Sequence, residues 1–396
     1  SAVEIYQRLS VANPQVYEPD LAMTQNNLGN LYRDTQRYKE SEEMYLSVLT
    51  VYQRLTIANL QVYEPDLARA QNNLGNLYRD TQRYKESEEM YLSAVEIYQR
   101  LSVANPQVYE PDLAMVQNNL GLLYSDIQRY EDSEKMHLSA VEIYRRLAAA
   151  NPQVYEPDLA ETQNDLGILY SDTRRYEESE EMYLSAMEIR RRLAVANPQV
   201  YEPGLARTQY NLGCLYRDTR RYEESEKMYL SAMEIRRRLA VANPQVYEPD
   251  LADTQYNLGC LYYNIQRYEE SGEMYLSALK VYQRLTVADP QVYEPYLVRA
   301  CNNLSFLFLA QGNFEEAERY AREGAKYDST HHTIYTNLAA SLLFQGRYAE
   351  AEEIYLRYKE ELKEDFLSDF EDFYQRGIIP PEREDDVERI KKLLSK

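Results

Sequence analysis

The chain has 396 residues, a net charge of −21 and three cysteines. That acidic balance excludes nucleic acid and an anionic membrane surface as main partners, and no apolar run approaches the ~20 residues that cross a bilayer. Three cysteines in so long a chain exclude a disulfide framework. Cys214 and Cys260 hold equivalent places 46 residues apart. Equivalent points on packed helices lie about 8–10 Å from each other, beyond the ~7 Å reach of a disulfide, so the cysteines read as reduced thiols in a cytoplasmic setting.

Taken in chain order, Ser1–Leu9 matches Ser93–Leu101, so the chain is expected to begin inside a truncated repeat. Tyr17-Glu18-Pro19-Asp20-Leu21-Ala22 then returns at Tyr63, Tyr109, Tyr155, Tyr201, Tyr247 and Tyr293, always 46 residues on. A fixed period of this size means stacked units sharing a continuous core. Leu21, Leu28, Leu31 and Tyr32 lie on one helical face, with Pro19 in the first turn and Asp20 at the positive end of the dipole. This predicts helix A over 19–35. Tyr38, Ser41, Tyr45, Val48, Tyr52 and Leu55 give helix B over 38–58, ended in most repeats by an Asn-Pro pair such as Asn105-Pro106. Nothing alternates with period two, so the chain is all-α.

Past Tyr293 the step contracts: Leu304 and Leu338 stand 34 apart, with Gly312 and Gly346 where Gln36 stood. We divide the chain into long units over 1–295, two 34-residue units over 296–362 and capping helices over 363–396. The last B helix is expected to run through Leu362, Phe366, Phe370 and Phe373 to Gly377, its aromatics covering the final core face. Pro380-Pro381 precede an amphipathic helix with Val387, Ile390, Leu393 and Leu394.

Leu28-Gly29, Tyr32, a small residue at Ser41, an aromatic at Tyr45 and a small residue at Ala94 resemble the tetratricopeptide repeat pattern, with Gln25 where a tryptophan is usual. The long units, with Asn-Asn-Leu inside helix A, are similar to kinesin light chain and its bacterial relatives, which suggests a bacterial source. The resemblance implies a right-handed superhelical α-solenoid of antiparallel helix pairs, with a C-terminal cap. It also implies that A helices line a concave, peptide-binding groove.

No metalloprotease motif, phosphate-binding glycine loop or nucleophile elbow is present, so neither an enzyme nor a cofactor is expected. Of the histidines, His331 and His332 carry no motif, and His137 takes the place of Tyr45 and reads as a core substitute. Glu177-Glu178 and Glu180-Glu181 read as the solvated face of helix B. Most of the 40 tyrosines occupy five fixed places per unit, the first set being Tyr17, Tyr32, Tyr38, Tyr45 and Tyr52, and read as core packing.

The residue before the leucine is Asn27, Asn73, Asn119, Asp165, Asn211, Asn257, Asn303 and Asn337. Two readings compete: a structural amide bonding a neighbouring helix, or a ladder that holds a peptide backbone, since each amide both donates and accepts. The resemblance favours the second, and rungs about 10 Å apart match about three extended residues. Around the ladder the chemistry changes from unit to unit, and we take Arg33, Arg69, Arg79, Arg207, Tyr210, Arg217, Tyr256 and Tyr263 as specificity contacts. The N-terminal rungs would then favour acidic or carbonyl-rich segments, rung four (Glu161, Asp165) would disfavour acidic ones, and rungs five to seven would take aromatic or apolar ones. The expected function is a scaffold for an extended protein or peptide segment. Alternatives are the sensor arm of a larger protein, or a spacer that self-associates through the truncated N-terminal face around Val3, Ile5, Tyr6 and Leu9.

Overall fold

A computed structural model describes residues 2–327 and 332–395; Ser1 and His331, named above, lie outside them. Among the described residues there is no strand, and the helices follow one another as packed neighbours. After α1 (Ala2–Ala12), the first half of the chain holds α2 (Pro14–Asp34), α3 (Tyr38–Ala58), α4 (Leu60–Asp80) and α5 (Tyr84–Ala104). It continues with α6 (Pro106–Asp126), α7 (Tyr130–Ala150), α8 (Pro152–Asp172) and α9 (Tyr176–Ala196). The chain divides into two compact units between Gly204 and Leu205, inside α10 (Pro198–Asp218). The second half continues through α11 (Tyr222–Ala242), α12 (Pro244–Asn264), α13 (Tyr268–Ala288) and α14 (Pro290–Ala310). The helices then shorten: α15 (Phe314–Gly324), α16 (Ile334–Phe344) and α17 (Tyr348–Arg357) lead to α18 (Lys359–Gln375) and, past a 3₁₀ turn at Pro381–Arg383, to α19 (Glu384–Ser395).

Helix B falls where the apolar period puts it, but helix A is longer than the expected 19–35. It begins at the proline of Asn-Pro, so the stretch read as a connection is helical. Pro106 takes the first helical position, where its missing N–H costs nothing. Pro111 then sits inside the same helix, where it removes the backbone donor to the carbonyl of Gln107, a residue exposed to solvent. At the C-terminal end the expected B helix breaks at Tyr358, and the aromatics from Phe366 to Phe373 belong to the separate α18.

The six long A–B pairs from α2/α3 to α12/α13 are closed in the same way. The Ser41 hydroxyl donates to the Gly29 carbonyl at 2.9 Å, and Ser87, Ser133, Ser179, Ser225 and Ser271 do the same to their own glycines. The Tyr45 ring lies so close to Gly29 that a Cβ there would sit 2.7 Å from a ring carbon, so the Leu-Gly signature is a packing requirement. Between the two helices, Arg37 N–H donates to the Tyr32 carbonyl at 2.8 Å while Gln36 holds φ 58°. This is a helix stop with a left-handed residue just past the end. Gln82, Gln128, Arg174, Arg220 and Gln266 share that conformation, and Gly312 and Gly346 take it in the two short repeats.

Successive repeats are stapled by an arginine. Arg83 stacks on Tyr78 with its guanidinium 4.0 Å from the ring centre and reaches back 2.6 Å to Glu42 of the preceding repeat. Arg129 with Tyr124 and Glu88, Arg175 with Tyr170 and Glu134, and Arg267 with Tyr262 and Glu226 repeat the arrangement. Part of the glutamate-rich face of helix B is therefore a set of inter-repeat ion pairs rather than a purely solvated surface. His137, fully buried where other repeats have tyrosine, is a core residue as expected. Its Nδ1 lies 2.9 Å from the Asn118 side-chain oxygen, and burial pulls its pKa down to about 4.

Candidate functional site

Consecutive A helices touch one another, α2 with α4, α4 with α6, α6 with α8 and α14 with α16. The asparagines before the leucine lie along these contacts. Asn73 Nδ2 donates to Asn26 Oδ1 at 2.9 Å, Asn119 Nδ2 to Asn72 Oδ1 at 3.0 Å, and Asn337 Nδ2 to Asn302 Oδ1 at 2.9 Å. Asn257 Nδ2 donates to the Tyr210 hydroxyl at 2.9 Å and Asn303 Nδ2 to the Tyr256 hydroxyl at 2.8 Å. The joint is thus the residue before the leucine bonded to the residue two before it in the previous repeat. At Asp165 the direction reverses, Asn118 Nδ2 donating to Asp165 Oδ2 at 3.1 Å, because a carboxylate has no proton to give. Asn27, in the first A helix, is exposed, and Asn211 is half-buried. In these joints the amide N–H groups bond a neighbouring helix, which is the structural reading set out above.

The arginines taken as specificity contacts also have partners. Arg33 Nε lies 3.4 Å from Asp80 and Arg79 Nε 2.6 Å from Asp126, each tying the end of one A helix to the next. Arg69, more than half exposed, pairs with Asp66. Arg217 donates to Asn257 Oδ1 at 2.7 Å and to Asp218 at 3.0 Å. Their charge is balanced within the chain. Burial pushes up the carboxyl of half-buried Asp112, and burial together with Glu161 pushes up that of Asp158. Arg207 is exposed. Arg299 lies 4.8 Å over the Tyr256 ring and has no ion pair among the described residues.

The aromatic rungs cluster in the second half. Tyr210 and Tyr229 approach to 5.8 Å between ring centres, Tyr256 and Tyr275 to 5.6 Å, and Tyr229 O–H donates to Cys214 Sγ at 3.2 Å. Burial raises the thiols of Cys214 and Cys260, so neither is an activated nucleophile. Tyr263, its hydroxyl raised to about 12 by burial, lies 5.8 Å from Phe306. Here the chain covers its own rungs. Phe373 of α18 lies 5.9 Å from Phe306, and Arg376 just beyond α18 donates to the Tyr263 hydroxyl at 2.6 Å. Leu309, Leu338 and Leu343 are buried in one cluster with Phe366, Phe370 and Phe373. Rung seven, expected to take aromatic ligand side chains, is filled by the chain's own aromatics.

Profiles of the tetratricopeptide repeat match residues 20–100, 66–146, 112–192 and 158–238, then 251–290 and 308–367. The chain belongs to the tetratricopeptide repeat family. Members of this family are generally non-enzymatic scaffolds. No curated protein sequence matches the chain. Among solved structures, BtubC (BKLC) from P. vanneervenii is 25% identical with a TM-score of 0.50, over 61% of this chain and 89% of its own. A signal transduction ATPase with a tetratricopeptide repeat sensor, PH0952 from Pyrococcus horikoshii, is 19% identical with a TM-score of 0.59, over 93% of this chain and 54% of its own. A putative kinesin light chain from Podosopora anserina with nearly identical repeats is 15% identical with a TM-score of 0.43, over 56% and 96%. No helix among the described residues is long and apolar enough to cross a membrane, and none of those residues form a cluster able to hold a metal.

The joints were legible as a 46-residue recurrence of polar pairs, but not their geometry. Asn26, Asn72 and Asn302 read as groove positions beside the ladder; what sequence reasoning missed is that they accept from the asparagine of the next repeat, and that Asp80 and Asp126 pair with arginines of the previous one. The signal was a step of 47 residues, one more than the repeat, between a donor and its acceptor.

Proposed function

We propose that this tetratricopeptide repeat chain is a protein-interaction scaffold holding an extended partner segment along its A-helix face. The observation that carries the reading is the contrast between kept and changing positions. Staples, clasps and amide joints recur with little change, while neighbouring positions on the A face run through Met23, Arg69, Met115, Glu161, Arg207, Asp253 and Arg299. Nearly identical repeats that differ in charge and shape mainly on one face suit a ligand whose side chains differ along its length. In this reading Asn27, Asn73, Asn119, Asn211 and Asn303 offer their side-chain oxygens along the rungs, and Asn257, whose oxygen accepts from Arg217, spaces them. Arg69, Arg207 and the half-buried Tyr210 contact ligand side chains, whereas Arg33, Arg79 and Arg217 hold the helices that present them and Tyr256, buried, anchors Asn303. Long repeats over 1–295 supply the face, and the shorter repeats and caps over 296–396 close it.

The test is selection of displayed twelve-residue peptides on the full chain. Binders are then compared on a variant carrying Ile168→Arg, at the exposed position two after Leu166 in α8, with Arg207→Glu and Arg299→Glu, and on one carrying Glu177→Arg and Glu223→Arg on the B helices. Binding should fall at least tenfold for the first variant and stay unchanged for the second. The opposite ranking places recognition on the B face.

A further inference from the structure

The repeat itself shows what is missing beside Arg376. In the first two repeats, the residue five after the leucine is an arginine that meets an aspartate 47 residues on: Arg33 with Asp80, Arg79 with Asp126. In the second half the same register pairs Arg217 with Asn264 and Tyr263 with Ala310, so both acceptor positions have lost their carboxylate. Arg217 turns to Asn257 and Asp218 instead. The space beside Tyr263 and Ala310 is a cleft of about 470 Å³, and the cation at its wall is Arg376, delivered by the segment after α18. Arg376 is bound on two sides, Nε to Asp372 at 2.8 Å and Nη1 to the Tyr263 hydroxyl at 2.6 Å, leaving Nη2 without a bond among the described residues. Asn264, Gln266 and Tyr268 line the same cleft, and none of their side chains has an intramolecular hydrogen bond among those residues. Three open polar side chains and a guanidinium edge thus converge where the array elsewhere holds an arginine–aspartate pair.

We infer that this cleft binds an acidic side chain, aspartate or glutamate, of the partner segment. The ligand carboxylate takes the place that Asp80 and Asp126 hold in the first half, accepting from Arg376 Nη2 and from the amides and phenol around it. Charge-assisted pairing with a guanidinium is the strongest polar contact available to such a group, and with both register carboxylates gone the native carboxylate on Arg376 is Asp372, which holds Nε and leaves Nη2 open. This inference rests on the scaffold reading and names the ligand chemistry at one end of it.

The test uses the full chain with ¹³C-labelled isoleucine and alanine methyls, because Ile378 and Ala310 line the cleft and report on it directly. The probes are N-acetyl-glutamate N-methylamide and its glutamine counterpart. The glutamate probe should shift both methyls and the glutamine probe should not. Arg376→Gln should weaken the glutamate response at least tenfold, and Asn264→Asp, which restores the missing carboxylate on an exposed position, should weaken it comparably. Methyls far from the cleft must stay in place in both variants, which separates loss of the site from loss of the fold. Equal shifts with both probes, no shift with either, or an undiminished response in Arg376→Gln overturns the assignment. Because single blocked residues probe the cleft alone, such a failure leaves the peptide selection to judge the scaffold reading by itself.

Discussion

Six repeats close their A–B turn with a glutamine or arginine in the left-handed region, and the two short repeats use glycine for the same bonds. Replacing Gln82 and Gln128 by glycine should therefore stabilise the protein. A side chain in this conformation costs about 1–2 kcal/mol, while glycine forfeits about 0.5–1 kcal/mol through its freer unfolded chain. The net gain is then about 0.5–1 kcal/mol per site. Both side chains are exposed and form no hydrogen bond among the described residues, so nothing is lost with them. The sites lie in different repeats with no shared partner, so their effects should add. Urea unfolding followed by circular dichroism should show the double variant's midpoint raised at unchanged slope, by about 1–2 kcal/mol in total. Gln82→Ala with Gln128→Ala is the control, because alanine keeps the backbone penalty. If the alanine pair stabilises as much as the glycine pair, the left-handed turn is not the origin of the gain and the reasoning fails.

Asn73→Ala with Asn119→Ala removes two inter-helix bonds and should cost about 2 kcal/mol together; an unchanged melting profile would return these amides to the ligand. Gly75→Ala drives a methyl to 2.7 Å from the Tyr91 ring and should cost about 2 kcal/mol, largely recovered by Tyr91→Leu, with recovery absent if the clash is not the cause. His137, held at about 4 in the folded chain against about 6.5 unfolded, binds its proton more readily when unfolded. Its contribution to stability is complete above about pH 6.5 and is lost as pH falls toward 4, by up to about 3 kcal/mol. His137→Tyr should flatten the stability profile in that window, as read by denaturant midpoints at pH 7 and pH 4.5.

Helix B was readable to the residue because its period runs unbroken from Tyr38 to Ala58 and glycine, asparagine or proline does not interrupt it. The start of helix A was not. Pro19 looked like a first turn because proline normally is one, yet here it sits six residues into a helix that already has a proline at its first position. The asparagine ladder could be seen but not assigned, since an amide suits a neighbouring helix and a ligand backbone equally, and only the distances to Asn26 and Asn72 separate the two uses. Arg33 and Arg79 looked like open cations because Asp80 and Asp126, half-exposed at the helix ends, gave no sign of reaching across a repeat. The covering of Tyr263 and Phe306 by α18 depends on a contact between residues 113 positions apart, which no local pattern encodes.

The amide joints join a residue to one 47 positions away, and both members can either donate or accept wherever they are asparagine or tyrosine. A gain or loss of one whole repeat by recombination would bring together two partners that still bond, because an amide can turn over and a phenol can rotate. Even Asp165 is satisfied by any upstream amide or hydroxyl. The number of long repeats is thus free to drift over generations at little energetic penalty. The far end has no such latitude: Phe373 and Arg376 fit the aromatic pair Phe306 and Tyr263, and whichever repeats are copied or dropped, these two must remain the ones that meet the cap.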